Sequence, residues 1–184
     1  MRVRCFIAVD VEGGELISRI VRLQQDLTET GARLKLIEPE NLHVTLAFIG
    51  EVPLPLVERA KAAISKVTFP RFTVSFAGVG AFPDPRRPRV IWIGVREGRE
   101  ELTELARLVR ARLREENIPF DKKEFVPHLT VARVKGGGGA LAGALRKLQA
   151  FSAGNMTVTT VRLKKSTLTP RGPIYETLYE RELE

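Results

Sequence analysis

"NLHVTLAFIG" occupies residues 41–50, and "FVPHLTVARV" occupies residues 125–134. The 184-residue chain has two histidines, His43 and His128, and both open the same frame of His, aliphatic, Thr, aliphatic. In an extended strand residues i and i+2 share a face, about 6.5–7 Å apart. His43 and Thr45 therefore point one way while Val44 and Leu46 point the other. His128 and Thr130 stand in the same relation to Leu129 and Val131. Each stretch reads as a strand that seats an aliphatic pair in a core and presents an imidazole and a hydroxyl on its opposite face.

Working outward, alternation and β-branched content predict strands over 4–10, 42–50, 72–82, 89–97, 128–134, 156–168 and 173–181, with a short extended piece at 34–39. Helical spacing predicts helices over 15–29, 55–67, 100–116 and 140–150, with Pro55 in the first turn of the second. Strands and helices mix without strict βαβ alternation, which predicts an α+β architecture with largely antiparallel sheets. The two motifs lie close to half the chain length apart, and each strand leads to a helix and then two more strands. That repeat predicts a duplicated chain: one bilobal domain over residues 1–184, with motifs 43–46 and 128–131 contributed by opposite lobes.

Composition narrows the class. Hydrophobic residues make up 43% and charged residues 28%, an ordinary globular balance. No apolar run approaches the roughly 20 residues that span a bilayer, and the N-terminal "CFIAV" is too short for a signal-peptide core. Cys5 is the single cysteine, so no internal disulfide forms and a cytoplasmic location is expected. The net charge of +8 favours polyanionic partners. Part of it is concentrated in "DPRRPRVIW" (84–92) and "VRLKKSTLTPRG" (161–172), whereas the arginines of "LARLVRARLREEN" (105–117) read as a solvated helix face. "KGGGG" (135–139) lacks the Lys-Ser/Thr of a phosphate-cradling loop and reads as a turn.

Two imidazoles on opposite sides of a reacting centre form an acid–base pair near neutral pH. Opening a phosphodiester needs both partners, one to activate water and one to protonate the leaving oxygen. The hydroxyls of Thr45 and Thr130 suit non-bridging phosphate oxygens, and a nearby cation offsets the charge that builds on them. Arg133 is off the parity of His128 and Thr130, so reaching them requires a bulge or twist. Strict alternation assigns Phe48 to the core, and Trp92 likewise falls in an apolar strand. Phe82 is the better candidate to stack a base. A metal would need a third and usually a fourth ligand, and no His- or Cys-rich spacing supplies them, so neither metal nor cofactor is expected.

"HVTLAF" and "HLTVAR" resemble the tandem His-x-Thr-x signatures of the two-histidine (2H) phosphoesterases. "RCFIAVD" (4–10), "FAGVGAFPDPRRPRVIWIGV" (76–95), "PHLTVARV" (127–134) and "STLTPRGPIYETL" (166–178) extend the resemblance to the LigT-like RNA 2′,3′-cyclic phosphodiesterases, also called 2′-5′ RNA ligases. The resemblance implies a pseudo-two-fold α+β fold with a groove between two sheets and helices outside. It implies metal-independent opening of an RNA 2′,3′-cyclic phosphate to a 2′-phosphate, with 2′-5′ ligation as the reverse reaction. It assigns His43 as general acid and His128 as general base, Thr45 and Thr130 as phosphate donors, and Arg133 as a phosphate contact. The expected partner is RNA bearing such ends, tRNA fragments included, acting on a monomer away from membranes. A non-catalytic RNA-end binder, or an enzyme for a small cyclic phosphate such as ADP-ribose 1″,2″-cyclic phosphate, are the alternatives.

Overall fold

The computed structural model covers Met1–Glu184. Nine strands form in chain order: β1 (Arg2–Asp10), β2 (Arg33–Leu36), β3 (His43–Pro53), β4 (Phe72–Phe82), β5 (Val90–Val95), β6 (His128–Gly136), β7 (Ser152–Val158), β8 (Thr160–Thr169) and β9 (Gly172–Glu182). Four helices accompany them: α1 (Gly14–Thr28), α2 (Leu54–Ser65), α3 (Arg99–Glu115) and α4 (Leu141–Lys147). The strands build a four-stranded sheet of order β3-β1-β8-β9 and a five-stranded sheet of order β2-β6-β5-β4-β7. Every pairing is antiparallel. The α+β expectation holds. No helix is long and apolar enough to cross a membrane.

The helices are amphipathic and bury one stripe each. Leu16, Ile20, Leu23 and Leu27 of α1 face inward, as do Leu102, Leu105, Val109 and Leu113 of α3. Their placement is crossed. The chain leaves β1 in the four-stranded sheet, yet α1 packs on β2, β6 and β7 of the other. It leaves β5 in the five-stranded sheet, yet α3 packs chiefly on β3 and α2. Neither sheet is therefore built from one half of the sequence, and a single apolar cluster of 46 buried residues underlies both.

The two motif strands share an irregularity that alternation does not predict. In β3 the partners of Ile7 and Ala8 are Ala47 and Thr45, so Leu46 is an extra residue. In β6 the partners of Ile91 and Trp92 are Ala132 and Thr130, so Val131 is extra. A bulge of this kind reverses the side-chain parity beyond it. Leu46 and Ala47 are both buried, as are Val131 and Ala132. Each bulged carbonyl then needs a donor from outside the ladder. Arg110 Nε of α3 donates to Leu46 O at 3.1 Å. The buried Gln24 of α1 donates through Nε2 to Val131 O at 2.9 Å, and to Ile37 O at 2.8 Å. The two crossed helices thus hold the two bulges.

Two boundaries depart from expectation. The strand predicted over 156–168 breaks at Thr159, where the chain passes from one sheet to the other. Burial changes parity there, from Met156 and Val158 to Val161 and Leu163. The helix predicted over 140–150 is α-helical only over Leu141–Lys147, with a 3₁₀ turn at each end.

Candidate active site

His43 opens β3, and its ring geometry follows from backbone just upstream. Nδ1 lies 2.7 Å from the carbonyl oxygen of Asn41. A carbonyl only accepts, so Nδ1 carries a proton and Nε2 is the free position. His128 repeats the device at the head of β6, with Nδ1 2.5 Å from Val126 O. Both imidazoles are oriented by the carbonyl two residues earlier. His43 Nε2 faces Thr45 Oγ1 at 3.1 Å, across the i, i+2 spacing read from the sequence.

The bulges decide what else faces the groove. Arg133, off parity by simple counting, is returned to the side of His128 and Thr130 and is exposed. Phe48 undergoes the same reversal and is not core. It is half-buried on the strand face of His43 and Thr45, with the Arg4 guanidinium 4.8 Å over its ring. Trp92 is not core either. It is the cross-strand partner of Thr130, half-buried, opposite in direction to the buried Ile91 and Ile93. Its Nε1 is buried without a partner. Phe82 stands edge-on to His128 with centroids 5.2 Å apart and is 5.2 Å from Trp92.

A glycine makes room for Trp92. A Cβ at Gly80 would stand 2.4 Å from Cη2 and Cζ2 of its ring. Gly80→Ala is expected to tilt the ring away and destabilise the fold by about 1–3 kcal/mol. Because Trp92 is the sole tryptophan, its emission should shift to the red in the folded variant; an unchanged spectrum and midpoint would refute this packing.

On the other wall, residues that the sequence reading did not single out surround His43. Phe6 packs at 5.0 Å between centroids and Tyr175 at 5.3 Å, edge to face, with Phe6 and Tyr175 5.1 Å apart. Lys164 places Nζ 5.6 Å from the Tyr175 ring and 2.7 Å from Asp10 Oδ1. Tyr175 comes from β9 and Arg133 from β6, so the Arg133 charge reaches the phenol from the other sheet. Burial raises the Tyr175 phenol above its ordinary range, against the pull of Arg133 and Arg4. The groove is closed at one end by the β8–β9 hairpin, where Lys35 Nζ donates to Arg171 O at 2.8 Å and Asn41 Nδ2 to Pro173 O at 3.2 Å. No three His, Cys, Asp or Glu side chains converge in a metal-binding group.

Burial is the main reason that His43 titrates below the ordinary imidazole value; Asn41 O opposes the shift, and the charges of Lys164 and His128 reinforce it. The folded chain consequently binds fewer protons here than the unfolded one as pH falls below the ordinary value. Stability contributed by neutral His43 is present above about pH 6.5 and is lost on acidification through the folded pKa. His43→Gln should flatten the decline in unfolding free energy between neutral and mildly acidic pH; equal declines in both proteins would contradict it.

The sequence model of the "LigT like Phosphoesterase" family matches residues 11–92 and again 93–175, one His-x-Thr frame in each match. The chain belongs to the LigT-like phosphoesterases. It is 45% identical over 175 residues to the RNA 2′,3′-cyclic phosphodiesterase of Archaeoglobus fulgidus, covering 95% of this chain and 97% of that one. It is 41% identical to the protein of the same name from Aeropyrum pernix, covering 90% and 95%. The phosphoesterase superposes on E. coli LigT, solved with 3′-AMP, with a TM-score of 0.79 at 25% identity, covering 99% and 98%.

Proposed function

We propose that this phosphoesterase opens RNA 2′,3′-cyclic phosphate ends to 2′-phosphates by metal-independent acid–base catalysis between His43 and His128. The observation that carries this reading is the matched pair of imidazoles, each held at Nδ1 by a backbone carbonyl two residues earlier, with His128 near enough for its charge to act on His43. The names of its relatives, and the 3′-AMP bound to E. coli LigT, support the choice of an RNA end as substrate.

Chemistry follows from the placement. His128 Nε2 takes a proton from water as the water oxygen bonds to phosphorus. The P–O3′ bond breaks, and His43 Nε2–H protonates the departing oxygen, leaving the phosphate on O2′. Burial favours neutral His43, and the arriving phosphate anion favours its charged form. The hydroxyls of Thr45 and Thr130 donate to non-bridging oxygens, and Arg133 offsets the charge that grows on them. Phe82, beside His128, offers a ring to the terminal base. With an RNA 5′-hydroxyl replacing water, the same steps form a 2′-5′ bond and leave a 3′-hydroxyl. An oligoribonucleotide with a 2′,3′-cyclic end should be converted in EDTA to a 2′-phosphate end. Absence of turnover, or a 3′-phosphate product, would overturn the proposal.

A further inference from the structure

Two segments remote in sequence form a second basic feature beside the groove. The loop between β4 and β5 carries Arg86, Arg87 and Arg89, and the end of β6 with the glycine turn carries Lys135, Gly136, Gly138 and Gly139. Together they line an open crevice of about 330 Å³. Its walls are tied: Arg89 N donates to Phe82 O at 2.8 Å, and Val134 N to Arg89 O at 2.9 Å. The loop leaves the sheet at Phe82, the ring beside His128, and the strand reaches the crevice one residue after Arg133. The crevice is therefore continuous with the groove.

Its chemistry is one-sided. Four cations line it and no carboxylate does. None of the four side chains is in an ion pair, whereas Arg19, Arg107, Arg112 and Arg162 all are. The nearest acid, Asp84, is occupied: Oδ1 accepts from the backbone N–H of Arg86 at 2.7 Å and of Arg87 at 3.2 Å, which fixes the loop. Glycine keeps the walls close and the floor clear. A Cβ on Gly138 would press on Pro88 at 3.3 Å, and Gly139 has nothing within 4 Å of the Cβ position. Along β6, Lys135 lies two residues beyond Arg133, at the bulge opposite Arg33 and Leu34, and both side chains are exposed.

We infer that this crevice binds the backbone phosphates of the single-stranded RNA leading to the reacting end, so that the enzyme grips an oligonucleotide more tightly than a mononucleotide. The inference rests on the RNA reading above but has its own readout. Arg86→Glu/Arg87→Glu and, separately, Gly139→Glu place carboxylates in the crevice; the second enters open space. Affinity for 3′-phosphate-ended oligonucleotides of one to six residues is read by fluorescence anisotropy at several salt concentrations. Turnover is read on a mononucleoside 2′,3′-cyclic phosphate and on a cyclic-ended hexanucleotide. Wild-type affinity should rise with length, and both variants should lose that rise, with hexanucleotide binding about tenfold weaker and a shallower salt dependence. Mononucleotide kcat/KM should change less than about twofold, since no catalytic group is touched. Length-independent wild-type affinity, or equal losses on both substrates, overturns the crevice and leaves the phosphodiesterase reading standing. Length-dependent, crevice-dependent binding without turnover of either substrate has the opposite meaning.

Discussion

His43→Ala and His128→Ala are each expected to lower kcat on a 2′,3′-cyclic phosphate by about 10²- to 10⁴-fold, the range for a positioned acid or base. EDTA should change neither the wild-type rate nor these losses. Because the proposed mechanism places the two groups in one proton-transfer sequence, the double variant should be much less impaired than the product of the single losses. The leaving group separates their roles. With sulfur in place of the bridging O3′, the departing thiolate needs no proton. That substrate should recover most of the loss in His43→Ala and little of it in His128→Ala; the reverse pattern would exchange acid and base. Midpoints of thermal unfolding within a few degrees of wild type would show that the losses are chemical. Wild-type-like turnover by either variant would remove that histidine from the mechanism.

The second large effect concerns stability. Lys164 is among the most buried charged residues, its side chain only 5% exposed, and its ammonium is held by Asp10 Oδ1 at 2.7 Å. Asp10 also meets Arg162 Nη1 through Oδ2 at 3.3 Å, but Arg162 has Glu12 and Glu180 besides. Removing the carboxylate leaves Lys164 with no counter-charge, and breaking a buried pair from one side costs about 3–5 kcal/mol. Asp10→Ala should lower the urea-unfolding free energy by that amount. Asp10→Ala/Lys164→Met should regain most of it, because an apolar chain of similar length fills the site without needing a partner. A single-variant loss below about 1 kcal/mol would show the pair to be dispensable. Activity should follow, since Lys164 lies over Tyr175 and Tyr175 packs on His43.

How legible the site was depended on whether strand parity held. His43, Thr45, His128 and Thr130 precede the bulges, so simple alternation puts each His on the strand face of its Thr, as the structure does. Phe48, beyond its bulge, was misassigned to the core by the same alternation, and Arg133 needed the bulge that the structure supplies. Nothing in "HVTLAF" or "HLTVAR" marks the extra residue; the partners that stabilise it, Arg110 and Gln24, lie on helices far away in sequence. Trp92 reads as core in the sequence, but its apolar neighbours Ile91 and Ile93 alternate with it and do not surround it. Phe6, Tyr175 and Lys164 could not be gathered around His43 without the strand order, which places β1 between β3 and β8. A crevice assembled from residues 86–89 and 134–139 was hidden for the same reason.

The crossed helices also bear on how this chain can be divided. The two family matches meet between residues 92 and 93, inside β5, and a cut there would split that strand, part β1 and β3 from β8 and β9, and part β2 and β4 from β6 and β7. Each fragment would carry its own histidine and would bury a helix only by borrowing the other fragment's sheet. Expressed alone, neither piece should reach a native state; mixed, they should recover structure and turnover together, as complementing halves of one cooperative unit.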